Sequence, residues 1–214
     1  METTVDSIIT RELIENTISF EEYTDLVQQL FDEDRTTNED NRPDMLEYTK
    51  LNIHRTSKWN KRARISEELA QELKNFPNRM TWLVITEGWC GDAAQSLPFI
   101  HKMAGLSDNI ELKLILRDQY PEVMDEFLTN GSRSIPKLIA LDSETLEVLG
   151  TWGPRPKEIQ EVYMSERANP EIENKVASEN LHLWYARNKG KAMQEEFMQL
   201  LDEWKKNEPK TGNR

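Results

Sequence analysis

The sequence is poor in cysteine: Cys90 is the one thiol in 214 residues. A single thiol excludes a disulfide within the chain and a cysteine-based zinc site contained in it. Positive charge is also short. Lys and Arg number 27 against 39 Asp and Glu, for a formal net charge of −12. Such a surface repels nucleic acid and anionic lipid over most of its area. The one basic cluster, Lys58, Lys61, Arg62 and Arg64, reads as a solvated helix face. Long hydrophobic runs are missing as well, and none approaches a membrane span. The first residues carry acids early and no basic segment ahead of an apolar one, so they do not read as a secretory signal. The expectation is a protein of a reducing, cytoplasmic compartment, with no nucleic-acid and no membrane partner. His54, His101 and His182 share no metal-ligand spacing, and no glycine loop is built to cradle phosphate, so neither a metal nor a cofactor is expected.

What is present suffices for a packed core. Hydrophobic residues make up 37% of the chain and include six Trp and six Phe. Their periodicity divides the chain. Residues 1–31 and 44–75 carry helical spacing, separated by a polar loop, and Ser66-Glu67-Glu68-Leu69 reads as a helix start. Thr81–Thr86 is a short apolar run that reads as a buried strand. Asp92–Met103 reads as a helix. Ile110–Leu116 alternates, placing Ile110, Leu112, Leu114 and Leu116 on one face of a strand. Pro121–Leu128 is a short helix, and the segments flanking Ser143-Glu144-Thr145 form a hairpin. Glu158–Ala168 is a helix, and residues 181–204 form one more, striped by Met193, Phe197, Leu200, Leu201 and Trp204. The tail from Glu208 is expected to fray. Strand–helix–strand crossovers predict parallel neighbours, and the hairpin an antiparallel pair. The fold class is therefore α/β, a small mixed sheet flanked by helices, with helical N- and C-terminal extensions. The expected division is 1–57 as an N-terminal helical extension and linker, 58–170 as the central domain, and 171–214 as a C-terminal helix and tail.

Cys90 falls between the first strand and the helix after it. The unpaired N–H groups and dipole of a helix start favour negative charge, so a thiol there is expected to titrate below its free value. Placement alone leaves two readings, a reactive monothiol and an ordinary buried cysteine. Asp92 enters in two ways: it can cap backbone N–H groups, and its charge would raise the thiol pKa against the helix effect. Trp89 is placed to shield the thiol, while Trp82 and Trp152 read as core. Glu67, Glu68, Glu195 and Glu196 read as solvated helix faces.

Trp89-Cys90-Gly91-Asp92-Ala93, with Pro98 inside the helix, resembles the Trp-Cys-Gly-Pro-Cys site of thioredoxins. Arg133-Ser134-Ile135-Pro136-Lys137-Leu138 resembles their Arg-Gly-Ile-Pro-Thr-Leu segment, and Gly150-Thr151-Trp152-Gly153 their glycine-containing turn after the last strand. The three landmarks stand in family order, and the Gly-Asp variant looks most like a bacterial branch of the thioredoxin-like superfamily. The resemblance implies a thioredoxin-like fold over about Thr81–Ala168. It places Cys90 as the nucleophile and Pro136 as the cis-proline. Trp89, Gly91, Asp92, Ile135 and Pro136 become the residues that meet substrate, with the Ile135 backbone pairing an extended segment. Two family features are missing: Ala93 stands where the second cysteine would, and Val84 where a buried Asp assists proton transfer. The resemblance therefore implies monothiol thiol–disulfide exchange or redox sensing through mixed disulfides. The partner would be a disulfide-containing protein or a low-molecular-weight thiol. The alternative is a redox-inactive binding module using the groove beside Pro136.

Overall fold

Seven consecutive apolar or β-branched residues, Met80–Thr86, form strand β1, and every one of them is buried. A strand covered on both faces needs such a run, because neither set of alternating side chains meets water. The protein is described by a computed structural model over residues 8–206. The start of the chain and the tail expected to fray lie outside those residues. β1 is central in a four-stranded sheet of order β2-β1-β3-β4, with β2 Ile110–Leu116, β3 Lys137–Asp142 and β4 Val148–Trp152. β1 runs parallel to β2 and antiparallel to β3, which is antiparallel to β4.

Among the described residues four helices precede the sheet: α1 Arg11–Glu15, α2 Phe20–Asp32, α3 Pro43–Arg62 and α4 Glu67–Lys74. The side chain of Ser66 caps α4, as its sequence suggests, and Ser19 and Glu22 form a reciprocal capping box on α2. α5 Gly91–Ala104 crosses from β1 to β2, and α6 Pro121–Glu126 lies between β2 and β3. The chain then closes with α7 Lys157–Ala168, α8 Asn174–Asn188 and α9 Lys191–Lys206. One apolar core runs from Ile9 and Phe20 through β1 to Phe197 and Trp204, so residues from both ends of the described chain pack on the sheet. Ile18 pairs with Leu114 in both directions, at 3.0 and 2.8 Å, and covers the open edge of β2. Among the described residues no helix is long and apolar enough to cross a membrane.

The structure corrects two expectations. The second crossover does not return a parallel strand. α6 has six residues, about 9 Å of helix, whereas a seven-residue strand such as β2 spans about 23 Å. α6 by itself is too short to carry the chain back along β2, and β3 sets out from the same end and runs the other way. The final helix is also two helices. Lys189 and Gly190 take left-handed conformations at φ 54° and 80° and separate α8 from α9. Gly190 lies against the Phe99 ring, where an added Cβ would sit 2.4 Å from a ring carbon. A similar close approach seats α9: a Cβ on Gly150 of β4 would lie 2.2 Å from Trp204 Nε1.

Gly190→Ala combines a left-handed φ with overlap on a buried ring. We expect a loss of at least about 1–3 kcal/mol, read as a lower midpoint in urea unfolding with an unchanged slope.

Candidate active site

Cys90 is the N-cap of α5, with φ −80° and ψ 116°. Its Sγ accepts from the Ala93 backbone N–H at 3.5 Å and donates to the Ile135 carbonyl at 3.3 Å. The second contact requires a proton on sulfur. The residue is 8% exposed. Burial, then the negative charge of Asp92, push the thiol pKa up to about 12, against the opposing N–H groups of Ala93 and Asp92. Of the two influences the sequence opposes to each other, the helix start and the Asp92 charge, burial adds its weight to the second. The helix start does favour the thiolate, but removing the sulfur from water costs more than two weak N–H contacts return.

Asp92 does not serve as a helix cap. Its carboxylate faces the opposite wall of the site, where Arg155 holds it in fork geometry, Nε to Oδ1 at 3.1 Å and Nη2 to Oδ2 at 2.5 Å. Both side chains of this pair are 11% exposed. Tyr185 of α8 donates its hydroxyl to Oδ1 at 2.8 Å. Burial, followed by the Asp92 charge, holds that phenol well above its usual range. Gly91 admits two further neighbours. A Cβ there would lie 2.8 Å from the His182 ring and 3.4 Å from the Arg55 guanidinium. His182 Nδ1 sits 3.5 Å from Gln95 Nε2, and Gln95 Oε1 accepts from Trp59 Nε1 at 2.5 Å. Burial and the nearby Arg55 charge lower the His182 pKa to about 4, so its ring is neutral near pH 7.

The three sequence landmarks meet. The Ile135–Pro136 peptide bond is cis, and Ile135 and Pro136 are buried beside the thiol. Gly153, at φ 113°, backs this turn; a Cβ on it would lie 2.2 Å from the Pro136 carbonyl oxygen. Ala93 is fully buried and offers its N–H but no second thiol. Val84 lies inside β1 between Leu114 and Leu138. Trp89 is half-buried beneath the Arg117 guanidinium, 4.7 Å from the ring centroid. Glu196, expected on a solvated face, instead accepts from Trp152 Nε1 at 2.7 Å and from the Lys157 backbone at 2.6 Å. It ties α9 to the end of β4 and the start of α7.

Glu87, like Arg155 and Tyr185, is a site residue that the sequence reading missed. It stands at the end of β1 with no exposed surface. Its carboxyl accepts from the Thr37 hydroxyl and, at 3.0 Å, from the Asp118 backbone N–H. Thr37 in turn accepts from Gly88 N at 3.0 Å, so the polar loop before α3 is pinned to the active-site turn. Burial raises the Glu87 pKa from an ordinary 4.5 to about 7, despite these hydrogen bonds. The available signal was an acid directly after an apolar strand, three residues before Cys90. Among the described residues no group of three or more His, Cys, Asp or Glu is placed to hold a metal ion.

A family model described as thioredoxin matches residues 39–180. No curated relative matches the chain. Among solved structures, the chain is similar to the crystal structure of an HIV epitope scaffold, with a TM-score of 0.59 and 17% identity over 90% of this chain and 94% of that one. It is also similar to the crystal structure of a protein of unknown function from Pseudomonas aeruginosa, with a TM-score of 0.57 and 18% identity over 90% and 94%. At these identities the two structures show the fold alone.

Glu87 makes stability depend on pH with a definite sign. Its folded pKa lies above the unfolded one, so the folded state holds a proton that the unfolded state has lost. The Glu87 contribution to stability therefore falls as pH rises from about 4.5 to about 7. The shift corresponds to an upper bound of about 3 kcal/mol. His182, lowered to about 4, titrates in the same window with the opposite sign, so the test is a comparison: urea midpoints of Glu87→Gln should rise more steeply with pH across this window than those of the wild type.

Proposed function

The chain belongs to the thioredoxin family, and on that premise we propose that it acts through one thiol, by thiol–disulfide exchange or redox sensing at Cys90. The single observation that carries this reading is the position of Cys90 Sγ. It lies at the N-terminus of α5, against the Ile135 carbonyl, with Ala93 in place of a second cysteine. The partner is a disulfide-containing protein or a low-molecular-weight thiol in a reducing, cytoplasmic compartment. Trp89, Gly91, Asp92, Ile135 and Pro136 frame the approach to sulfur.

In the exchange step the Cys90 thiol gives its proton to solvent, and the thiolate attacks one sulfur of the partner disulfide. A Cys90–partner S–S bond forms, the partner S–S bond breaks, and the departing sulfur leaves as a thiolate that takes up a proton. Release then requires a second thiol from outside the chain, because position 93 has none. A thiol with a pKa of about 12 is ionised to only about one part in 10⁵ at pH 7. The described conformation is therefore a resting one, and exchange proceeds from a form in which the start of α5 meets water. The same burial favours a second reading. In it the fold is a redox-inactive binding module and Cys90 is a packing residue.

The two readings separate in one experiment. Native protein incubated with glutathione disulfide should slowly accumulate one adduct at Cys90. That adduct, seen by intact mass spectrometry, should persist until an external thiol is added and be absent in Cys90→Ser. Urea-unfolded protein should react at once. If only the unfolded chain ever takes up the adduct, exchange is ruled out and the binding module stands.

A further inference from the structure

α7 and α8 form a hairpin whose apolar contacts are largely its own. Ile159, Leu181 and Tyr185, with Tyr163 and Trp184 against them, make a cluster separate from the main core. α9, by contrast, places Phe197, Leu201 and Trp204 in that core. The hairpin meets the first turn of α5 through polar groups. Tyr185 and Arg155 bind the Asp92 carboxylate, and His182 lies on Gly91 and beside Gln95. Arg155 also belongs to the hairpin side, donating to Gln160 at 2.6 Å and lying 4.6 Å from the Tyr163 ring centroid.

An ion pair taken out of water yields little net stabilisation, because desolvation offsets its attraction. Apart from the Glu196–Lys157 bond at its base, the hairpin is fastened to α5 by such a pair and its neighbours, and its own cluster travels with it when it separates. The positive-φ residues Gly153 at one end and Lys189 and Gly190 at the other bound the movable segment.

We propose that the α7–α8 hairpin is a lid over the Cys90 end of α5, latched by Arg155 and Tyr185 on Asp92, and that its opening admits the disulfide partner to the sulfur. The assignment rests on the reading of Cys90 as an exchanging thiol, and it adds the device that controls that thiol. Asp92 acts here as the latch of the lid rather than as a helix cap, which accounts for an acid beside a nucleophile that its charge opposes. Opening withdraws the Tyr185 and Arg155 contacts, hydrates the first turn of α5 and leaves its N–H groups facing the sulfur.

Arg155→Met gives a test in which the competing effects have opposite signs. With the lid closed, loss of the Arg155 charge leaves Asp92 unopposed beside the thiol and slows its alkylation. With the latch broken, the thiol meets water and alkylation accelerates. Tyr185→Phe, which keeps volume and removes one hydrogen bond, guards against a variant that fails to fold. The measurements are the rate of Cys90 alkylation by iodoacetamide and amide hydrogen exchange over 157–188 and over β1. We expect both variants to exchange faster over 157–188 with β1 unchanged, and to alkylate about tenfold faster or more, the equivalent of one pKa unit. Slower alkylation of Arg155→Met, or unchanged exchange over 157–188 in both variants, overturns the lid. If the lid opens and alkylation rises but glutathione disulfide still leaves no adduct, the latch stands and the exchange reading fails.

Discussion

The carboxylate of Asp92 is the contact on which the site turns. It lies two residues after Cys90, on the first turn of α5, and is taken by Arg155 from the segment after β4 and by Tyr185 from α8. These contacts join the α7–α8 part of the chain to the helix start that carries the thiol. They also add to its electrostatics. Burial is the largest influence against ionisation of the sulfur; the Asp92 charge adds to it, and the Arg155 guanidinium works the other way. The result is a thiol that keeps its proton and donates a hydrogen bond to the Ile135 carbonyl.

Close backbone approaches fix the rest of that arrangement. Gly91 lets His182 and Arg55 reach the chain, Gly153 lets β4 back the Pro136 turn, and Gly150 lets Trp204 seat α9 on the sheet. On the other side of the strand end, Glu87 and Thr37 bind the loop before α3 to the turn that leads into Cys90. The helices outside the sheet are therefore part of the site. α3 and α8 flank the first turn of α5, and they close a helix end that would otherwise stand open to solvent.

The sheet was legible in the sequence because its signals are local. β1 is one unbroken apolar run, the hairpin is marked by turn residues, and Ser66 announces α4. The break between α8 and α9 had its signal in Gly190, but the apolar stripe continues past it and hides the change of direction. The direction of β3 was not legible, because the connection between Leu116 and Lys137 is long enough to return the chain either way. Within the site, Cys90, Pro136 and Gly153 were found from short motifs. Arg155, His182 and Tyr185 were not assigned to it, because each reaches the site from another element. Asp92 meets Arg155 across 63 residues of sequence and Tyr185 across 93. The balance between the helix start and the Asp92 charge at the thiol was not legible for the same reason. The helix start is a local feature, whereas burial is a property of everything packed around it.

That Cys90 rests as a buried, protonated thiol is the claim from which the guarded mechanism follows. Ultraviolet absorbance of the thiolate, followed through a pH titration of the native wild type against Cys90→Ser, tests it most directly. The account predicts no thiolate signal below about pH 10, given a pKa of about 12. A titration centred at or below about 8.5, the value of a free cysteine, would contradict it.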